Sequence, residues 1–271
     1  MNSPYVPKSV PPSGEGPDPD ARSAAQRLAA DLEQLGVLKG GVLLVHSSLS
    51  ALGYVPGGPE TVIRGLLAAL GPEGTLLLPA LSYERVTEKH PFFDIRRTPS
   101  NVGAIPEYYR TRPGTARSMH PTHSVCAVGP RTIELLGEHG QDSTPCGPNS
   151  PFHKLPFVDG QLLMLGCGLQ PNTSMHAIEE TVVPPYLFGP PLTYLLTDGA
   201  GDAVERTYTT HGFDGWDQRY DRVAEVLEPP ALVRGPVLKG EAHLIRTRAL
   251  WDAVQAELRR DPLRFVERYR G

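Results

Sequence analysis

The fold of this chain is decided by residues 161–180, which read Gln161-Leu-Leu-Met-Leu-Gly-Cys-Gly-Leu-Gln-Pro-Asn-Thr-Ser-Met-His-Ala-Ile-Glu-Glu180. The apolar run at 162–165 predicts a buried strand, and Gly166 and Gly168 allow the backbone to turn sharply after it. Three polar residues can cap the helix that follows: Asn172, Thr173 and Ser174. A strand, a glycine turn and a helix in this order indicate an α/β fold.

The predicted helix carries His176 and Glu179, whose spacing puts both side chains on one face, where they can meet. A carboxylate that holds one imidazole nitrogen fixes the tautomer and leaves the other nitrogen free to take a proton. Such pairs are often only solvated ion pairs. Here the pair follows the carboxyl end of a strand, where open α/β sheets bind their ligands. We therefore predict that His176 and Glu179 are catalytic.

Patterns along the rest of the chain predict a single α/β domain over 21–271, with a central mixed sheet flanked by helices. Apolar runs predict strands at 41–46, 74–79 and 125–128, a hairpin at 192–209 and a strand pair at 232–246. Helical spacing predicts helices at 21–38 (with Asp20 as a possible cap), 59–70, 131–136, 215–228 and 247–269. Polar, proline-interrupted residues at 82–115 predict a functional excursion over the core, with a short helix near 106–109. Residues 1–20, rich in proline and glycine, predict a disordered arm.

Composition excludes several classes of protein. The 271 residues have a net charge of −4 and form no basic stripe, so we expect no binding to nucleic acid. The chain has neither the apolar core of a signal peptide nor an apolar stretch that could span a membrane. Three cysteines (Cys126, Cys146 and Cys167) are too few for a disulfide framework and fit a reducing cytosol. We expect a soluble, cytoplasmic monomer or homodimer without membrane contacts.

A polar cluster after the first predicted strand is a candidate for ligand binding. It contains His46, Ser47 and Ser48, and the serine hydroxyls and the backbone N–H groups can bind a phosphate or a carbonyl oxygen. A serine-rich turn that only caps a short helix would have the same composition. The sequence around these residues is not a phosphate-binding Walker loop, so both interpretations stay open.

A second, denser cluster at 117–126 permits a zinc site made of His120, His123 and Cys126. The spacing is not that of a zinc finger, and the chain has no His-Glu-x-x-His helix. Serine hydrolysis is also disfavoured, because no Gly-x-Ser-x-Gly elbow is present. A zinc hydrolase is therefore kept only as an alternative, and we expect no metal cofactor.

Six clusters, taken together in their order and spacing over about residues 21–270, resemble the aminoglycoside 3-N-acetyltransferase family. They are Leu44-Val-His46-Ser-Ser48, Arg117-Ser-Met-His120-Pro121, His123-Ser-Val125, Asn149-Ser-Pro-Phe152, Leu163-Met-Leu-Gly166 and Asn172-Thr-Ser-Met-His176-Ala-Ile-Glu179. The resemblance implies an α/β fold of the antibiotic N-acetyltransferase type, distinct from that of the common small N-acetyltransferases. It also implies acetyl-CoA as co-substrate, an aminoglycoside as acceptor and antibiotic resistance as outcome. By the same resemblance, His176 is the catalytic histidine and Glu179 the helical glutamate.

The co-substrate and the acceptor that the resemblance implies lead to the remaining site predictions. Residues expected to bind acetyl-CoA or its oxyanion are His46, Ser47, Ser48, Arg117, Ser118, His120, Ser124 and Thr173. Residues expected to bind the polycationic acceptor are Tyr83, Asp214 and Asp217. The expected mechanism is direct transfer in a ternary complex, because no nucleophile is clearly prepared. Two alternatives are an acetyltransferase that accepts a different small amine and a non-enzymatic acyl-CoA sensor.

Overall fold

The computed structural model describes residues 4–6 and 18–269. Most of the predicted arm, 1–3 and 7–17, lies outside these described residues, so its disorder stays a prediction. Within the arm, Tyr5 forms an antiparallel bridge with Arg117. The Tyr5 N–H donates to the Arg117 carbonyl oxygen over 3.1 Å, and the Arg117 N–H donates back over 2.8 Å.

The described residues form seven α-helices and twelve β-strands. The helices are α1 (Pro19–Leu35), α2 (Gly58–Leu70), α3 (Ala104–Thr111), α4 (Thr132–Leu136), α5 (Pro151–Lys154), α6 (Ser174–Val182) and α7 (Thr247–Arg260). The strands are β1 (Val42–Ser47), β2 (Thr75–Pro79), β3 (Phe92–Asp94), β4 (Ala116–Arg117), β5 (Val125–Val128), β6 (Gln161–Leu165), β7 (Phe188–Thr197), β8 (Ala203–His211), β9 (Trp216–Gln218), β10 (Leu232–Val237), β11 (Gly240–Arg246) and β12 (Val266–Arg268). In this part of the chain, no helix combines the length and the apolar character needed to cross a bilayer.

Seven of the described strands form the central sheet, in the order β10-β11-β6-β1-β2-β5-β4. Strand β1 pairs in parallel with both β2 and β6, and the other neighbours are antiparallel. The predicted fold class, an α/β arrangement with a central mixed sheet, is therefore confirmed. The parallel pairs at its centre bring the carboxyl ends of β1, β2 and β6 to one edge of the sheet.

Both faces of the central strands are buried. Successive side chains point to opposite sides of the sheet, and helices pack on each side. Leu43 and Val45 pack with α1, α2 and α3 on one face. Leu44 packs on the opposite face with α4, α6 and α7. This two-sided burial explains why the strands read as continuous apolar runs. The packing also holds α6 against the sheet, beside the edge where the parallel strands end.

Several predicted boundaries are corrected. Helix α1 is capped by Asp18, whose side chain accepts from the Asp20 N–H, so the cap lies two residues before the predicted one. The predicted helix at 215–228 is instead strand β9 followed by a 3-10 helix, Tyr220–Glu225. The predicted helix at 247–269 ends at Arg260, and β12 then pairs with β9. This strand pairing links distant segments, so local helical spacing gave no sign of it.

A smaller sheet of three described strands, β3-β7-β8, lies beside the central one. Its β7 and β8 form the hairpin that the sequence predicted at 192–209. The turn is built on the Asp198 side chain, which accepts from the N–H groups of Ala200, Gly201 and Asp202 over 2.9–3.0 Å. The predicted excursion at 82–115 contributes β3 to this sheet and also contains α3.

Candidate active site

A cavity of about 780 Å³ opens at the carboxyl ends of the parallel strands. Ser47 at the end of β1, Pro79 at the end of β2 and Cys167 just after β6 line it. The excursion at 82–115 and the hairpin of β7 and β8 supply further lining residues. The cavity therefore lies where open α/β sheets bind their ligands.

His176 lines this cavity from the first turns of α6 and is held from behind by a buried carboxylate. Its Nδ1 lies 3.2 Å from Oε2 of Glu179, which is fully buried. A carboxylate can only accept a hydrogen bond, so Nδ1 carries the proton and Nε2 keeps a lone pair. The structure thus brings together the two residues that their spacing on the helix predicted.

Two tyrosines outside α6, one seven and the other 41 residues after Glu179, complete the support of its carboxylate. The Tyr220 hydroxyl donates to Oε2 of Glu179 over 2.7 Å and lies 2.9 Å from Nδ1 of His176. The Tyr186 hydroxyl donates to Oε1 of Glu179 over 2.8 Å. Burial raises the pKa of both tyrosines well above the ordinary value, so both hydroxyls stay protonated and donate. Both oxygens of the carboxylate are thereby fixed.

A second histidine–carboxylate pair faces the same cavity. Nε2 of His211, at the end of β8, lies 2.9 Å from Oε1 of Glu180. The other oxygen of Glu180 accepts from the Thr144 hydroxyl, and the Cys146 N–H donates to Oε1 over 2.7 Å. Burial raises the pKa of the Glu180 carboxyl, while these hydrogen bonds oppose the shift. The His176 and His211 rings are 4.7 Å apart between centroids.

Three more histidines line the cavity, and all three are buried. Burial lowers the pKa of His46 to about 3 and the pKa values of His120 and His123 well below 6.5; neighbouring histidines lower all three further. These rings are therefore neutral at physiological pH and act as hydrogen-bonding groups of low charge. Nε2 of His46 and Nε2 of His120 find no hydrogen-bond partner among the described residues.

Of the residues predicted to bind acetyl-CoA or the acceptor, five line the cavity: His46, Ser47, His120, Thr173 and Tyr83. Ser48 lines a neighbouring cavity of about 550 Å³ that shares Ser47 with the first. This second cavity also touches Gly58 at the start of α2 and Ala104 at the start of α3. Free N–H groups at helix starts favour anions, so it suits a negatively charged part of a ligand.

The prediction that Arg117, Ser118 and Ser124 bind acetyl-CoA is corrected, because their polar groups are used inside the fold. The Arg117 guanidinium is 1% exposed and donates to the carbonyl oxygens of Ala80, Ile95 and Thr98 and to the Ser124 hydroxyl. The Ser118 hydroxyl accepts from the Val125 N–H and lies 2.9 Å from a buried histidine, His139. None of the three lines the cavity.

The structure places Asp214 and Asp217 on the exposed surface, and neither lines the cavity. Their neighbour Phe213 does, with its ring centroid 5.3 Å from that of His176. Among the described lining residues, the single Asp, Glu, Lys or Arg is Glu88, an exposed residue of the 82–115 excursion. Glu88 was not predicted from the sequence, because nothing distinguishes it from other surface carboxylates.

The alternative zinc set of His120, His123 and Cys126 is not assembled. Cys126 is fully buried on the α1–α3 face of the sheet, and burial raises the pKa of its thiol to about 12. Cys126 therefore does not line the cavity that His120 and His123 line. The alternative prediction of a zinc hydrolase that uses these three residues is therefore wrong.

The mixed α/β fold thus places a histidine, held by a buried carboxylate, in a cavity at the carboxyl ends of its parallel strands. Residues 44–259 match the family described as aminoglycoside 3-N-acetyltransferase. The chain belongs to this family, which confirms the predicted class of acetyl-CoA-dependent acyltransferases.

Individual relatives agree with this assignment. Aminoglycoside N(3)-acetyltransferase VII of Streptomyces paromomycinus is 34% identical over 220 residues, which are 74% of this chain and 75% of the relative. The structure of AAC(3)-IVa in complex with apramycin is similar with a TM-score of 0.74 at 32% identity, covering 92% of this chain and 96% of that one. The structure of AAC-IIIb with CoASH has a TM-score of 0.74 at 28% identity, covering 88% and 96%.

The buried, hydrogen-bonded position of Arg117 leads to a prediction about stability. Arg117→Gln should lower the free energy of unfolding by at least about 2 kcal/mol, because several buried carbonyl oxygens lose their donors. The dissociation constant for CoA of the folded variant should change by less than about twofold. Chemical denaturation and calorimetry measure the two quantities, and Arg97→Gln, at an arginine side chain that is 85% exposed, is the matched control. Weaker CoA binding at unchanged stability would contradict this account.

Proposed function

We propose that this chain transfers the acetyl group of acetyl-CoA to the 3-amino group of an aminoglycoside, with His176 as general base in a ternary complex. Membership of the family supports the reaction. The observation that carries the mechanism is the orientation of His176, whose Nδ1 is bonded to buried Glu179 while the ring lines the cavity. Nε2 makes no hydrogen bond within the described part of the chain, so its lone pair is free for a proton.

The base is needed because an alkyl ammonium group cannot attack a thioester. The free amine attacks the carbonyl carbon, and Nε2 of His176 takes the proton that the nitrogen loses. Glu179 stabilises the imidazolium that forms, since the Nδ1–H already points at its carboxylate. The new N–C bond then replaces the C–S bond, and the proton passes from His176 to the sulfur of departing CoA.

Direct transfer is favoured over an acetyl-cysteine intermediate. Cys167 is the one cysteine among the described residues that line the cavity, and burial raises the pKa of its thiol to about 11. A nucleophilic cysteine requires a lowered pKa, because the thiolate is the reactive form. Cys126 and Cys146 are fully buried.

Ser47 and Thr173 are the proposed donors to the oxyanion of the tetrahedral intermediate. The buried Ser47 hydroxyl finds no hydrogen-bond partner in the described chain, so it can donate to a ligand oxygen. Thr173 lines the cavity immediately before α6. We assign the second cavity, which Ser47 joins to the first, to the CoA portion, because the starts of α2 and α3 favour its phosphates.

The acceptor site combines two buried carboxylates behind the histidines with Glu88 at the cavity opening. Glu179 and Glu180 lie behind His176 and His211, and the lining contains no lysine or arginine among the described residues. A region with carboxylates and no fixed positive charge attracts ammonium groups. Glu88 is therefore the proposed contact for a remote amine of the acceptor.

The mechanism predicts the effect of removing the base. His176→Ala should lower kcat/KM for acetyl transfer at least about a hundredfold, because general-base catalysis contributes about 10²–10⁴. Binding of CoA, measured by calorimetry, should change little. The matched control is His90→Gln, at an exposed histidine outside the cavity lining. Release of free thiol from acetyl-CoA with a panel of aminoglycosides measures the rates, and turnover of His176→Ala within a few-fold of the unaltered chain would remove this residue from the mechanism.

A paired substitution tests which carboxylate attracts the acceptor. Glu88→Gln should raise the aminoglycoside KM by up to about fivefold, the size of an exposed charge interaction, and the effect should shrink at high salt. Asp214→Asn removes a charge outside the cavity and should leave the KM within about twofold. Steady-state kinetics at two salt concentrations decide between them. If Asp214→Asn has the larger effect, the acceptor lies on the surface that the sequence first suggested.

A further inference from the structure

Three histidines from distant segments converge in the cavity: His123 before β5, His176 on α6 and His211 at the end of β8. One ring nitrogen from each lies within 4.8 Å of the others. The ring centroids are 4.7 Å apart for His176 and His211 and 5.3 Å apart for His123 and His211. Catalysis by a single base requires one of these rings and leaves the convergence of the other two unexplained.

The hydrogen bonds of the three rings leave one nitrogen of each free. Nδ1 of His176 is bonded to Glu179 and Tyr220, and Nδ1 of His123 lies 2.8 Å from the Thr122 hydroxyl. For His211 the bonded nitrogen is Nε2, which faces Glu180. Their other nitrogens make no hydrogen bond within the described chain. Histidines that bind metals are typically held in this way, with the second nitrogen on a carboxylate, hydroxyl or carbonyl group.

The charges behind the rings also suit a cation. The side chains of Glu179 and Glu180 are 0% and 6% exposed. Within the described chain their ion-pair contacts are to His176 and His211 alone, with no lysine or arginine at ion-pair distance. Two buried carboxylates without a permanently charged partner are electrostatically costly, and a divalent ion on the other side of the two imidazole rings would compensate both.

We propose that His123, His176 and His211 form a binding site for a zinc-class divalent cation, with the fourth coordination position open to the cavity. Three imidazoles and one open position are a ligand set typical of zinc, whereas magnesium and calcium prefer oxygen ligands. Tetrahedral zinc with bonds of about 2.0–2.1 Å needs nitrogens about 3.4 Å apart, so the rings must approach by at most about 1.4 Å. This set differs from the rejected one that contained Cys126.

The bound cation is an inhibitor of this site and not a cofactor. It occupies the lone pair of His176 that the proposed function needs for the acceptor's proton. Binding of the metal itself does not depend on that function, because the ligands and the carboxylates behind them are present whatever the acceptor. Metal binding can therefore be tested without acetyl-CoA or an amine, and failure of either proposal leaves the other intact.

The test uses the untagged full chain, stripped of metal by a chelator, and titrates it with Zn²⁺ by calorimetry. We expect one Zn²⁺ per chain, with affinity reduced at least about tenfold in His123→Gln and in His211→Gln. Glu180→Gln, which keeps all three ligands, should weaken binding by about 10- to 100-fold through the support of His211. His90→Gln, at an exposed histidine, is the matched control and should bind as the unaltered chain does.

A second measurement keeps the proposal falsifiable if a variant is poorly folded. Co²⁺ in place of Zn²⁺ should give the visible absorption of a tetrahedral site in the unaltered chain, and circular dichroism identifies the variants that are folded. Absence of stoichiometric Zn²⁺ binding would overturn the proposal. An affinity that is unchanged in the folded His123→Gln and His211→Gln variants would do the same, since the ion would then bind elsewhere.

Discussion

The buried carboxylate of Glu179 is the constraint on which the site depends. It is fully buried beneath His176, and every hydrogen bond that it accepts from the described residues comes from a histidine or tyrosine side chain. A buried carboxylate without such donors would be strongly destabilising, so the chain must bring Tyr186 and Tyr220 to it from outside α6. The same contacts fix the tautomer of His176. Burial of the Glu179 carboxylate and orientation of the His176 ring therefore depend on one set of hydrogen bonds.

The histidines around the cavity give it an unusual electrostatic character. Burial lowers the pKa values of His46, His120, His123 and His211, so these rings contribute no positive charge near neutral pH. The carboxylates of Glu179 and Glu180 lie directly behind. The cavity is consequently rich in nitrogen lone pairs and favourable to cations, which suits an ammonium acceptor and also explains how a metal ion would compete with it.

Local patterns in the sequence were enough to predict the central sheet and the contact between His176 and Glu179. The continuous apolar runs at 162–165 and 125–128 correspond to strands buried on both faces, and His176 and Glu179 meet because helical geometry fixes their spacing. What depends on contacts between distant segments could not be predicted. The helix expected at 215–228 is replaced by pairing of β9 with β12, and Tyr186, His211 and Tyr220 reach the site only through the fold. Arg117 carries a positive charge that would suit binding of a phosphate. Only the fold shows that its N–H donors are satisfied inside the protein.

We propose that Glu179 holds His176 with its proton on Nδ1 and a free lone pair on Nε2. Nitrogen-15 NMR of histidine-labelled protein reads this tautomer directly, with His176→Gln identifying the resonances and no substrate present. We expect a protonated Nδ1 and an unprotonated Nε2 in the neutral ring. A neutral ring with its proton on Nε2 would contradict it, because the nitrogen that faces the cavity could then accept no proton from the amine.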